Sequence, residues 1–244
     1  MPRPPAGVLP SAEEKAAAVR RMFGAIAPRY DLLNHVLSLN IDRRWRRRAV
    51  DRLLDGRAPH GTYLDACAGT LDLALELAGR RGFQGRVVAA DFALAMLERG
   101  TPKARGRPVA PTCADALRLP FSDATFDGIT VGFGIRNLAD LDEGLRELAR
   151  VSKPDGRLVV LEFTTPVRPS VRALYLAYFT RVLPWIGRIV SRHASAYAYL
   201  PASVLDFPPP AALAARMTSA GFRDVAWEPL TGGIAALHVG VRGP

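Results

Sequence analysis

The sequence predicts an α/β protein built around a mostly parallel sheet, and three observations support that reading. From about residue 62, short apolar runs alternate with amphipathic helical stretches, the pattern left by parallel strands joined through crossover helices. The last two apolar runs flank Gly232-Gly233, a hairpin signal that puts an antiparallel pair at the end of the sheet. A chain of 244 residues with 49% hydrophobic and 23% charged side chains suffices for one domain with a substantial core, which excludes a disordered or fibrous protein.

In chain order, residues 1–11 read as a Pro-rich disordered tail and 12–57 as a helical lid. Within the lid, Ala12, Ala16, Val19, Phe23 and Ile26 recur at helical spacing until Pro28 stops the pattern. A second helix over 42–54 puts Trp45, Ala49, Val50 and Leu53 on one face. Arg43, Arg44, Arg46, Arg47, Arg48 and Arg52 cover much of the remainder and read as a solvated face. The core, 58–165, takes strands at 62–67, 86–91, 109–112, 127–133 and 157–163, with helices at 71–80, 93–100 and 140–151. Lys153-Pro154-Asp155-Gly156 forms a turn before the last of these strands. A helical insertion fills 166–207, and 208–244 adds a helix at 211–220 and strands at 224–228 and 234–241.

Lys and Arg number 33 against 23 Asp and Glu, a formal net charge of +10 that suits a polyanionic partner, nucleic acid or an anionic membrane. The greasiest stretch, 171–190, is interrupted by Arg172, Arg181, Pro184 and Arg188 and makes a poor spanning helix. Its Leu174, Tyr178, Val182, Trp185 and Ile189 fall at helical intervals, which fits either a core-facing helix or an apolar cap over a greasy ligand. The amino terminus lacks the apolar run of a secretory signal. Cys67 and Cys113 make neither a disulfide framework nor a zinc site, so a reduced, cytoplasmic protein without a bound metal is expected, with Cys113 a small buried residue.

The first strand ends in Asp65-Ala66-Cys67-Ala68-Gly69-Thr70-Leu71-Asp72: an acid, a small-residue turn, then a helix. Small side chains let a backbone approach a ligand beyond the carboxyl ends of the strands, and Gly69 marks that turn. An ordinary tight strand–helix turn would read the same way. Asp91 ends the second strand about twenty residues on, where an acid accepts both ribose hydroxyls of an adenosine cofactor, with Phe92 next to it. Capping the following helix is its plainer role. Asp115 and Ala116 follow the third strand, where an adenine amino group is read, and Asp127 opens the fourth.

In this order the residues resemble a class I S-adenosylmethionine-dependent methyltransferase. Five further motifs narrow the match. They are Met22-Phe23; Ala27-Pro28-Arg29-Tyr30-Asp31-Leu32-Leu33-Asn34; Phe133-Gly134-Ile135-Arg136-Asn137; Ala196-Tyr197-Ala198-Tyr199-Leu200-Pro201; and Leu230-Thr231-Gly232-Gly233-Ile234 through Leu237-His238. With them the chain resembles the ubiquinone/menaquinone biosynthesis C-methyltransferase family from about residue 19 to 242.

The resemblance implies a Rossmann-like, seven-stranded sheet with an antiparallel terminal hairpin, S-adenosylmethionine as cofactor, and methyl transfer to a ring carbon of a polyprenyl quinol. It assigns cofactor contacts to Thr70, Asp91, Asp115, Ala116 and Gly132, and adds Asp65, Gly69 and Phe92 around them, with Tyr30 in the lid beside Asp31 and Asn34. Three positions depart from the family: Leu71 where Gly is common, Asp115 where Asn is common, and Gly132 where Ser is common. A helix that has already started at Leu71 would need no positive φ there. Arg136 and Asn137 are the leading catalytic candidates, Arg136 as an electrostatic partner for a developing phenolate rather than a base. A structural Arg paired with an acid of a nearby helix is its plainer reading. Tyr197, Tyr199 and His238 are secondary candidates, the last equally readable as a satisfied core histidine. Demethylmenaquinol is the expected substrate, with 2-methoxy-6-polyprenyl-1,4-benzoquinol as the alternative. The basic surface then meets the anionic inner face of the plasma membrane rather than nucleic acid, and the fold admits a homodimer. A nicotinamide dehydrogenase, a nucleic-acid methyltransferase and a non-catalytic lipid carrier are the rival readings.

Overall fold

The structure is a computed structural model in which residues 9–27, 40–56, 60–166, 169–177 and 194–244 are described. Seven strands form one sheet: β1 (Thr62–Ala66), β2 (Arg86–Asp91), β3 (Val109–Cys113), β4 (Phe126–Gly132), β5 (Ser152–Phe163), β6 (Phe222–Leu230) and β7 (Ala235–Arg242). Their order is β3-β2-β1-β4-β5-β7-β6. The five strands from β3 to β5 are mutually parallel, and β7 runs antiparallel to both β5 and β6, as the hairpin signal predicts. The chain builds outward from β1 to β3 and then returns to place β4 on the other side of β1. The carboxyl ends of β1 and β4 therefore flank a topological switch point, where an open α/β sheet leaves a ligand crevice.

Eight helices are described: α1 (Ala12–Ile26), α2 (Ile41–Leu54), α3 (Asp72–Ala78), α4 (Leu94–Gly100), α5 (Leu141–Val151), α6 (Pro169–Ala177), α7 (Ala194–Asp206) and α8 (Pro210–Ser219). They cover both faces of the sheet, which is why β1 and β4 are buried along nearly their whole length rather than at alternate residues. On β5, Val159 and Leu161 pack with Trp45 and Leu53 of α2 and Leu77 of α3. Leu158 and Val160 pack on the opposite face with Leu145 and Leu148 of α5 and Leu213 and Met217 of α8. Capping fixes where helices begin. Glu14 N donates to Ser11 Oγ at the start of α1 and Glu143 N donates to Asp140 Oδ1 at the start of α5, each a side-chain oxygen accepting from an otherwise orphaned amide. α1 stops ahead of Pro28, where the periodicity ends.

Four local expectations change. The turn at 153–156 is not ahead of β5 but inside it: Ser152 pairs with Phe126 and Arg157 with Gly128, so four residues bulge out between them. Asp155 takes φ 62° there, and a Cβ on Gly156 would lie 2.7 Å from the Lys153 carbonyl oxygen. Hydrophobic periodicity cannot see a bulge because the apolar pattern resumes in phase beyond it. The helix expected at 71–80 is the shorter Asp72–Ala78, preceded by Leu71 in the left-handed region. Cys113 is exposed rather than buried, since it ends the edge strand β3. Arg46 is buried, unlike its neighbours in the arginine run of α2. The Gly232-Gly233 turn appears as expected, with φ 70° and 91°.

Most of the tail, the lid segment 28–39 with Pro28, Tyr30, Asp31 and Asn34, and the insertion residues 178–193 with Tyr178, Arg181, Val182, Trp185, Arg188 and Ile189 lie outside the described residues. No described helix is long and apolar enough to cross a membrane, and no cluster of metal-ligating side chains occurs among the described residues.

Candidate active site

A recess of about 690 Å³, open mouth included, lies at the switch point, and Gly69, Asp91, Phe92, Asp115, Ala116 and Gly132 all line it. The topology brings them together from the ends of four strands. Asp91 closes β2 with both oxygens engaged: Oδ1 accepts from Ala93 N and Oδ2 from Gly69 N, each at 2.8 Å. It thus holds the turn entering α4 and the small-residue turn after β1 at once. Each carboxylate oxygen retains a further lone pair for a ligand. Burial pushes the Asp91 carboxyl above its ordinary value, and the two amides pull against that. Asp115 is exposed, its Oδ1 accepting from Leu117 N at 2.9 Å, while Ala116 beside it is buried. Phe92 carries the Arg20 guanidinium over its ring, 5.2 Å from the centroid.

Backbone strain gathers at this edge. Cys67, Leu71 and Phe133, none of them glycine, sit at φ 56°, 72° and 57°. Leu71 is the N-cap of α3, so the expectation that it needs no positive φ is corrected. Its fully buried side chain holds it there against the local penalty. At Gly134 a Cβ would come within 2.3 Å of the Cys67 Cβ, so the turns after β1 and β4 can only approach this closely with glycine at that point. At Gly132, a Cβ would lie 2.9 Å from Leu73 Cδ2, so a side chain there requires Leu73 to shift.

Asp65 is turned inward, away from a ligand-binding pose. Its Oδ1 accepts from Thr130 Oγ1 at 2.9 Å and its Oδ2 from Ala74 N at 3.0 Å, tying β1 to β4 and α3. Burial lifts its carboxyl to about 7. Thr70 is buried and lines a second recess with Asp65.

The 135–137 turn sits just past β4 and opens a polar cluster. Asn137 lines the main recess, and its Oδ1 accepts from Tyr199 Oη of α7 at 3.1 Å. Its remaining hydrogen-bonding group is the Nδ2 donor. Burial raises the Tyr199 phenol, which keeps it a donor. Arg136 faces the other way. It pairs with Glu162 at the end of β5 at 2.6 Å, donates to the Phe133 carbonyl at 2.6 Å and to Ser203 Oγ at 3.3 Å, and lies over the Phe163 ring at 5.5 Å. The partner acid belongs to a strand, not to a nearby helix. Burial pushes the Glu162 carboxyl up while the Arg136 charge opposes it.

His238 does not join this group. It sits mid-strand on β7 opposite Val160, donates from Nε2 to the Pro210 carbonyl at 2.9 Å, and stacks on Trp227. Burial lowers its pKa, which keeps the ring neutral. Tyr197 belongs to α7, and Tyr30 lies outside the described residues. Sequence reasoning quoted Cys67 and Phe133 inside its motifs without giving either a place at the site, and it missed Glu162 and the burial of Arg46. Arg46 left one signal, as the fourth residue after Asp42 in a helix, the spacing of an ion pair.

The sequence matches the ubiE/COQ5 methyltransferase family over residues 11–242. It is 52% identical to the demethylmenaquinone methyltransferase of Thermus thermophilus, over 91% of this chain and all of that one. It is 47% identical to the ubiquinone/menaquinone biosynthesis C-methyltransferase UbiE of Citrifermentans bemidjiense, over 94% of this chain and 98% of that one. Among solved structures, the [4+2]-cyclase SpnF overlays with a TM-score of 0.68 at 16% identity, covering 99% of each chain. That likeness speaks for the fold alone.

Proposed function

Because the chain belongs to the ubiE/COQ5 methyltransferase family, we propose that it transfers a methyl group from S-adenosylmethionine to a ring carbon of demethylmenaquinol. The observation that supports this best is the arrangement at the switch point: an acid braced for a ribose beside a small-residue turn, with a polar amide at the far side of the same recess. The residues fit the cofactor. Asp91 keeps acceptor capacity for two vicinal hydroxyls, and Gly69 and Gly132 leave the backbone bare where a nucleoside would lie. When bound, S-adenosylmethionine supplies a methyl group already activated by its sulfonium.

What remains for the protein is alignment, exclusion of water and charge stabilisation. Asp91 holds the ribose, Asp115 takes the adenine amino group and Phe92 covers the base. The quinol hydroxyl gives its proton to water, Asn137 donates from Nδ2 to the resulting oxyanion, and the ring carbon that takes the methyl group then releases its own proton to solvent. Arg136 acts from behind: paired with Glu162, it holds the 135–137 turn through the Phe133 carbonyl. The exposed Arg43 and Arg44 of α2 and the net charge of +10 favour peripheral contact with an anionic inner leaflet, from the cytoplasmic side.

The 47% identical relative named for both quinones keeps the methoxy-polyprenyl-benzoquinol as the second reading. Offering both quinols with methyl-labelled donor separates them. The expected result is labelling of demethylmenaquinol at least about tenfold faster. Faster labelling of the benzoquinol reverses the substrate assignment, and labelling of neither overturns the activity.

A further inference from the structure

One face of α7 is polar where the helix meets the 135–137 turn. Tyr199, Ser203 and Asp206 stand at i, i+4 and i+7 and so form a stripe. Tyr199 Oη donates to Asn137 Oδ1 at 3.1 Å, and Arg136 Nε donates to Ser203 Oγ at 3.3 Å. Two adjacent residues of the turn are thus held by successive turns of one helix. The third member, Asp206, is exposed and faces α1 instead. α1 closes the same space from the other side. It packs on α7 and on the 135–137 turn, and its Ala16 and Phe23 line the main recess. The inner face of α1 is otherwise apolar, through Ala16, Val19, Phe23 and Ile26, with Val19 buried. Lys15 interrupts that face one turn before Val19 and is half-buried. Burial and the Arg136 charge both push the Lys15 ammonium below its ordinary pKa, and Asp206 is the acid that pulls the other way. The other acids nearby are occupied: Glu162 by Arg136, and Glu14 by the Ser11 hydroxyl. A lysine stem can cover apolar surface with its head in water. Here the head is kept between a cation and an acid, which packing alone does not require.

We propose that Lys15 and Asp206 are positioning residues for the methyl transfer: their attraction draws the start of α1 onto the α7 stripe and shuts the recess around the Asn137 amide that Tyr199 aims. Neither residue touches the quinol. With α1 holding bulk water back, the Asn137 Nδ2 donor acts more strongly on the oxyanion of the quinol. The proposal rests on the assignment of Asn137 to the quinol oxygen. It accounts for a charge placed on an otherwise apolar helix face, and it makes α1 and α7 a single device that closes and aims together.

The test is a double-mutant cycle in initial rates on the full chain, with methyl-labelled S-adenosylmethionine and demethylmenaquinol each varied in turn. Lys15→Met and Asp206→Asn remove one charge each and nearly keep the shape. Each is expected to lower kcat about threefold, as befits a partly exposed pair, with donor KM within about twofold. The double variant is expected to lose no more than either single one, because the second change finds the pair already broken. Lys15→Arg, which keeps the charge, is expected to retain most of the parent rate. Losses that multiply in the double variant mean two independent charges, and an unchanged kcat in both single variants means a solvated lysine; either result overturns the proposal. A loss in Lys15→Arg as large as in Lys15→Met marks a packing role and overturns it too. If the parent chain methylates neither this quinol nor the benzoquinol, it is the activity that fails, and the proposal falls with it.

Discussion

A leucine in the left-handed region gives up about 1–2 kcal/mol locally, yet Leu71 keeps φ 72° with its side chain fully buried. Leu71→Gly relieves the backbone but empties a leucine-sized space, which costs about 2–5 kcal/mol. The variant is therefore expected to melt at a lower temperature in a thermal scan; a higher melting temperature would show that strain, not packing, dominates there. Asp65 gives a second test, in pH. Burial raises its carboxyl from 3.8 to about 7 in the fold. Between those values the native state keeps a proton that the unfolded chain has lost. Stability from this group therefore falls as pH rises from about 4 to 7 and levels off above that. Asp65→Asn removes the slope. Urea unfolding should show the variant gaining on the parent chain across that window by up to about 4 kcal/mol, and a constant difference would refute the burial argument. Residues whose chemistry alone carries the message, such as Asp91 after an apolar run and Gly69 in a small-residue turn, are legible in the sequence. The φ of Leu71 and the inward turn of Asp65 are not, because both are set by what packs around them.

Between residue and molecule stand the elements, and here the 135–137 turn matters most. Tyr199 of α7 fixes which way the Asn137 amide points by donating to its Oδ1. Tyr199→Phe frees the amide to rotate and is expected to lower kcat about tenfold while leaving the donor KM unchanged, since the loss falls only on transition-state charge. A change confined to donor KM would place Asn137 in the cofactor site instead. The same turn depends on Gly134, and Gly134→Ala drives a Cβ into Cys67, so a marked loss of folded protein is expected by circular dichroism. Helices and strands were largely readable from periodicity, since α1, α2, α5 and the inner strands β1, β2 and β4 follow the apolar pattern. The bulge in β5 was not, and neither was the burial of Arg46. An arginine-rich helix reads as solvent-facing until its fold puts Asp42 and Asp72 within reach of one member.

At the scale of the whole molecule, the strand order decides where the site lies, and the side chains at that place decide what it does. The reversal between β1 and β4 opens the crevice, and the antiparallel β7 and β6 extend the sheet away from it. The alternation of strands and helices and the terminal Gly-Gly turn predict a parallel sheet with an antiparallel end, but the order of the strands was not legible, because nothing local records which strand pairs with which. The net charge of +10 belongs to this scale too. Arg43→Glu/Arg44→Glu should weaken sedimentation with phosphatidylglycerol vesicles by about tenfold or more at low salt, as each cation contributes about 1 kcal/mol near such a surface. Unchanged sedimentation would move the membrane contact away from α2. The most direct test of the central claim is the initial rate of methyl transfer with S-adenosylmethionine varied, for the parent chain and for Asp91→Ala. The expected result is a donor KM raised about tenfold or more with kcat within about threefold. An unchanged donor KM would contradict the assignment of this crevice.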